Sequence, residues 1–182
     1  MDEQRPNVRL RGTCGASPET VYDLLADLRT HVDWGGARQL PVFRLTGLSA
    51  PEGPATVGTV FESTGAIPMS RRRFEDRSTV TVATRPSTFE FVTEARARGA
   101  GREMAARLVH RYEIAPVSTG SRVTYTLTQE EVAQPMLRFA IPGIRAVTWS
   151  MAGFMFGQGF RNLLALAAAR AARATTQARA RA

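Results

Sequence analysis

The sequence contains no lysine, a single cysteine (Cys14), two histidines (His31 and His110) and two tryptophans among its 182 residues. One cysteine cannot close a disulfide within the chain, which excludes a disulfide framework. A cysteine-based structural zinc site is excluded as well, because His31 and His110 are the only other usual soft ligands. No phosphate loop, nucleophile motif or metal-ligand spacing occurs, and nothing requires a metal or a tightly held cofactor. Met1 to Leu10 is charged and lacks the apolar run of a secretory signal. The longest charge-free apolar stretch, between Arg145 and Arg161, is short for a bilayer span. These absences leave the expectation of a soluble cytoplasmic protein.

What is present is one ordinary domain's worth of chain. Hydrophobic residues make up 43% and charged residues 22%, and a chain of this length buries roughly 70% of its unfolded surface. A single domain over 1–182 is expected, with its core over about 8–172 and an Arg/Ala-rich tail over 173–182. The net charge is +8, and all 24 basic residues are arginine. Excess arginine can build a patch for nucleic acid or anionic lipid, but arginine without lysine, together with abundant alanine, also follows from GC-rich coding. Part of the excess sits in the tail at Arg170, Arg173, Arg179 and Arg181. A solvated basic surface is the simpler reading, and nucleic acid is not the favoured partner.

Val8 to Ala16 reads as a first strand. Ser17 then suits a helix N-cap and Pro18 the first helical position. Val21, Leu24, Leu25 and Leu28 follow at the i, i+3, i+4, i+7 spacing of an amphipathic helix. His31 to Trp34 reads as a second short helix stopped by Gly35-Gly36. Six strand-like runs come next: Leu40–Leu48, Val57–Thr64, Arg72–Thr84, Phe89–Arg98, Met104–Ala115 and Arg122–Val132, separated by Gly- and Pro-containing turns. Runs so spaced form an antiparallel meander. Pro135 to Ile141 is a short apolar segment, interrupted by Pro142-Gly143, and Pro135 to Gly143 is placed to act as a flap over a pocket entrance. Ile144 to about Arg173 reads as one long helix.

This order resembles the START/polyketide cyclase-dehydrase (SRPBCC) superfamily. The resemblance is carried by Ala16-Ser17-Pro18-Glu19-Thr20-Val21-Tyr22 through Trp34, by Val57-Gly58-Thr59-Val60-Phe61, and by the apolar C-terminal helix. It covers about residues 8–172. It implies an α+β helix-grip fold, in which a curved antiparallel sheet of about seven strands wraps the long helix and leaves a cavity for an apolar ligand. It implies a pocket rather than a reaction, since fold does not fix function.

Strand alternation indicates which side chains face inward. Phe89 and Phe91 share a face. So do Met104, Ala106, Leu108, His110, Tyr112 and Ile114, and likewise Val123, Tyr125, Leu127 and Gln129. In the Arg72 strand the inward set is Phe74, Asp76, Ser78, Val80 and Val82, and Phe43, Leu45 and Phe61 complete the surface. An apolar surface with sparse polar anchors is the general form of a small-molecule site; the same residues would equally make a solid core. Candidate ligand-lining residues are Phe43, Phe61, Phe74, Phe91, His110, Tyr112, Tyr125, Met151, Phe154 and Met155.

His110 is a candidate general base, ligand anchor or satisfied core residue. Asp76 is its nearest partner by facing, two strands and roughly 10 Å away between backbones. With Tyr112 these form the catalytic candidates. The first half of the long helix is apolar nearly all round: Trp149, Phe156, Phe160, Leu163 and Leu164 mark one face, and Met151, Phe154, Met155 and Gln158 another. Such a helix is either wholly buried or has a second partner, which leaves open a homodimer through this helix or contact with a membrane surface. Arg71-Arg72-Arg73 is expected to pair locally with the acidic residues that follow. The function expected is binding of a hydrophobic small molecule (lipid, polyketide-like or aromatic) with polar contacts from His110 and Tyr112. The alternatives are a cyclase- or dehydrase-like enzyme using His110 or a tyrosine, and a basic surface protein acting on anionic lipid or nucleic acid.

Overall fold

The Ser17-Pro18 pair starts the first helix as the sequence predicts. Ser17 Oγ accepts the Thr20 backbone N–H at 3.3 Å, and Pro18 opens α1 (Pro18–Ala26), where its missing N–H has no partner to lose. In the computed structural model, which describes residues 8–35, 44–66, 73–99, 102–132 and 142–181, α1 follows strand β1 (Val8–Cys14). A 3₁₀ turn (Leu28–Thr30) and α2 (His31–Trp34) follow α1. Thr30 ties these turns together: its hydroxyl donates toward the Leu24 and Asp27 carbonyls, both at 2.8 Å, and accepts from Trp34 Nε1 at 3.3 Å.

The remaining strands are β2 (Arg44–Ser49), β3 (Val60–Ala66), β4 (Arg73–Thr84), β5 (Thr88–Gly99), β6 (Arg102–Val117) and β7 (Gly120–Val132). They form one antiparallel sheet in the order β1-β7-β6-β5-β4-β3-β2. From β2 to β7 each strand pairs with the next, because short turns join them. β1 closes onto β7, with Val8 opposite Leu127 and Cys14 opposite Ser121. Helix α3 (Pro142–Arg181) completes a curved sheet wrapped on a C-terminal helix, the α+β helix-grip arrangement. The helix begins at Pro142, two residues before the expected Ile144. The helix also continues through the expected tail to Arg181, with the last ten described residues exposed.

One strand departs from simple alternation. Val82 was expected inside, but the β4–β5 register slips between Val80 and Val82. Two residues then span what one spans on the partner, so facing inverts beyond the bulge. Ala83, opposite Phe89, packs on the core instead.

The core lies between the sheet, α1 and the middle of α3. Val21, Leu24 and Leu25 of α1 are fully buried, as are Phe89, Val123, Leu127 and Leu163. The helix comes closest to the sheet at β1, where a Cβ on Gly12 would lie 2.5 Å from Leu164 Cδ1 and 3.2 Å from Phe160 Cε1. Farther across the sheet, aromatic side chains bridge the two layers. Phe156 reaches the rings of His110 and Tyr125 at 5.8 and 6.2 Å between centroids.

The outer face carries the charge. Arg77 pairs with Glu62 at 2.7 Å, Arg107 with Glu130 at 2.6 Å and Arg111 with Glu90 at 2.9 Å, all across neighbouring strands. Arg85, beside a cis Arg85–Pro86 peptide bond, grips Asp23 of α1 through two nitrogens at 2.8 and 3.0 Å. Arg71 and Arg72 lie outside the described residues. Asp76 faces inward, as the alternation of the Arg72 strand predicts. Among the described residues, no helix is long and apolar enough to cross a membrane.

Candidate functional site on the inner face of the sheet

The register places the inward side chains in rows that cross the strands. One row runs Ala83, Phe89, Tyr112, Tyr125, Leu10, and the next runs Val80, Phe91, His110, Leu127, Val8. Then come Phe61, Ser78, Thr93, Leu108, Gln129, and after them Leu48, Ser63, Asp76, Ala95, Ala106, Val132. Bulk falls along this series. The first two rows are mostly aromatic or branched; the middle of the last holds two alanines, a serine and one carboxyl, between Leu48 and Val132.

Five of the expected lining residues meet in one aromatic cluster. Phe91 stacks on His110, with centroids 4.6 Å apart and planes at 11°, because the two are directly opposed on β5 and β6. Phe61 packs edge-on to Phe91 at 5.3 Å, and Tyr112 lies 4.8 Å from Tyr125. Phe74 is buried at the far end of β4. Phe154 is 53% exposed on α3. Phe43 lies outside the described residues. Met151 and Met155 fall in the third and fourth turns of α3, with side chains outside the description.

The cluster includes residues that strand alternation could not find. His31 and Trp34, one helical turn apart on α2, both turn inward. The His31 ring lies 4.4 Å from Trp34, 5.4 Å from Phe61 and 5.8 Å from Phe91. The i, i+3 spacing was the available signal, but a four-residue helix is too short to show a periodicity. Thr93, which the alternation of Phe89 and Phe91 does place inward, is buried too, and its hydroxyl shares a 2.9 Å hydrogen bond with Ser78.

Burial sets the electrostatics of this face. It pushes His110 down to about 3, with a smaller contribution from nearby His31, and pushes His31 down to about 4. Both imidazoles are therefore neutral at physiological pH. His110 Nδ1 is already occupied by the Tyr125 hydroxyl at 2.9 Å. Burial raises Tyr112 and Tyr125 above the ordinary phenol range, so both keep their protons. The same cause lifts Asp76 to about 7.

Asp76 and His110 are not brought together by their backbones. Asp76 opposes Ala95 and then Ala106, four residues along β6 from His110. That adds about 13 Å along the strands to roughly 10 Å across them. Instead, two buried polar atoms flank Phe61 without a hydrogen-bond partner: Asp76 Oδ1 and His31 Nε2. Buried polar atoms in folded proteins are overwhelmingly satisfied, and an orphan needs a reason.

Neither a protein-family profile nor a curated protein sequence matches the chain. Solved structures do match its shape. A Rhizobium leguminosarum protein is similar with a TM-score of 0.62 at 9% identity, over 90% of this chain and 93% of that one. A Chromobacterium violaceum protein gives 0.59 at 18% identity, over 88% and 96%. A Nitrosomonas europaea protein gives 0.58 at 15% identity, over 88% and 92%. At these identities the likeness establishes the fold.

Proposed function

We propose that the protein binds a hydrophobic small molecule between the sheet and the C-terminal helix, in keeping with its resemblance to the START/polyketide cyclase superfamily. One observation carries the reading. The inner face passes from a packed aromatic cluster to the small residues Ser63, Asp76, Ala95 and Ala106 in the middle of the last row, with two unsatisfied buried acceptors at the boundary. A solid core selected for stability alone has no use for an orphan carboxyl oxygen, because leaving one unpaired costs roughly 1–3 kcal/mol. A ligand that covers the small-residue row and satisfies those atoms recovers that cost on binding. Phe61 and Phe91 would supply the apolar wall, and the neutral His110–Tyr125 pair would shape the aromatic end.

Filling the space is the direct test. Ala95→Phe places a large ring on the inner face opposite Asp76. Native mass spectrometry of wild-type protein purified from its own host is expected to show a retained small-molecule mass that disappears on denaturation. Ala95→Phe is expected to fold with a similar melting temperature and to carry no such mass. Wild type without any retained mass, and without a thermal shift from a panel of lipids and aromatic metabolites, would refute the reading.

A further inference from the structure

We propose that the ligand is an apolar amine, bound as its ammonium form between Asp76 and His31 with its hydrocarbon body against Phe61 and Phe91. This deepens the binding function above and rests on it. The two orphan atoms specify the chemistry. The Leu25 backbone lies against one side of the His31 ring and favours its charged form, which places a ring N–H toward the carbonyl. In a neutral imidazole the other nitrogen is then a bare acceptor, and that nitrogen is the unpartnered Nε2. Asp76 Oδ1 is an acceptor too. Both acceptors border Phe61, Asp76 through its register opposite Ser63 and His31 through its ring contact, and together they call for a ligand group that only donates.

The charge of that group follows from what surrounds it. Asp76 is the one acidic residue in the described inward rows, and none of the 24 arginines pairs with it among the described residues, although outer-face carboxylates Glu62, Glu90 and Glu130 each hold one. A carboxyl in an apolar setting is neutral or costly unless a cation joins it. The wall between the two acceptors is aromatic: Phe61 lies 5.4 Å from the His31 ring and 5.3 Å from Phe91. Aromatic faces beside a carboxylate form a favourable environment for an ammonium, which the ring quadrupole attracts. A hydroxyl could satisfy one acceptor but would leave the ionised carboxylate without a counter-charge. A carboxylate or phosphate ligand would repel it.

Three naphthalene probes with one skeleton separate these cases: naphthylmethylamine, naphthylmethanol and naphthoate, titrated into the intact protein at pH 7.5 by calorimetry. Wild type is expected to bind the amine at least about tenfold more tightly than the alcohol, as a charge-assisted hydrogen bond implies, and to bind naphthoate most weakly. In Asp76→Asn, nearly isosteric and checked for folding by its melting curve, the amine-to-alcohol preference should fall to about one. Equal affinity of wild type for amine and alcohol, or a preference that survives Asp76→Asn, would overturn the amine assignment and leave the apolar pocket standing. Failure of all three probes to bind would remove both.

Discussion

His31, His110 and Asp76 are buried groups whose charged forms the fold opposes, and their effects on stability run in opposite directions with pH. For the histidines the ordinary value is 6.5, and the folded values are about 4 and about 3. Below pH 6.5 the unfolded chain takes up protons that the native state refuses, so stability is lost on acidification. For Asp76 the ordinary value is 3.8 and the folded value about 7. Between those values the native state binds the extra proton, so stability falls as pH rises through that window and stays lower above it. Asp76→Asn removes the second effect. At pH 8 the variant is expected to be more stable than wild type, by up to about 4 kcal/mol, and at pH 3.5 to differ little. Urea unfolding midpoints across pH 3.5–8 check this; curves that run parallel would show that Asp76 is solvated in the native state.

At the scale of elements, the strands and turns contribute unequally. Gly120 begins β7 with φ +135°, and a Cβ there would collide with the Cys14 carbonyl oxygen and the Gly15 backbone. Backbone cannot move aside, so Gly120→Ala is expected to cost at least about 2 kcal/mol. Gly12→Ala meets only the ends of the Leu164 and Phe160 side chains, which can turn, and its cost should be about 1 kcal/mol. Thermal melts of the two variants give the ranking directly, and a Gly12→Ala more damaging than Gly120→Ala would contradict it. Most element limits were legible in the chain, because Ser17-Pro18 and the glycine and proline turns punctuate it strongly. The β4 bulge was not, since Thr81 and Val82 carry no local mark of it. It exists because the β4–β5 pairing slips, a non-local event. The length of α3 was underread for the opposite reason: alanine and arginine favour helix, but nothing packs against the last turns to give them a periodic apolar stripe.

For the whole molecule, packing on the sheet ends near Ala171, beyond which the helix is exposed through Arg181. Among the described residues, Thr175 and Thr176 hydrogen-bond only back onto their own helix, at 3.1 Å each. A chain ending at Ala172 is therefore expected to unfold within about 0.5 kcal/mol of the full-length protein. A large loss of stability would show that the basic end of α3 docks on something, most simply a second copy of the chain.

The sequence by itself determined the order of elements and, through the period-two alternation of β5, β6 and β7, the inward facing of Phe89, Phe91, His110, Tyr112 and Tyr125. These follow from local rules, because an antiparallel strand with one buried face must alternate. Only the tertiary structure decided that His31 swings from a short helix against Phe61 and Phe91, that Tyr125 takes up His110 Nδ1, and that Asp76 Oδ1 is left without a hydrogen-bond partner. Those outcomes depend on which residues the register sets opposite one another and on how α2 and α3 cross the sheet. Both are settled by closing the whole core at once, and no stretch of sequence contains them alone.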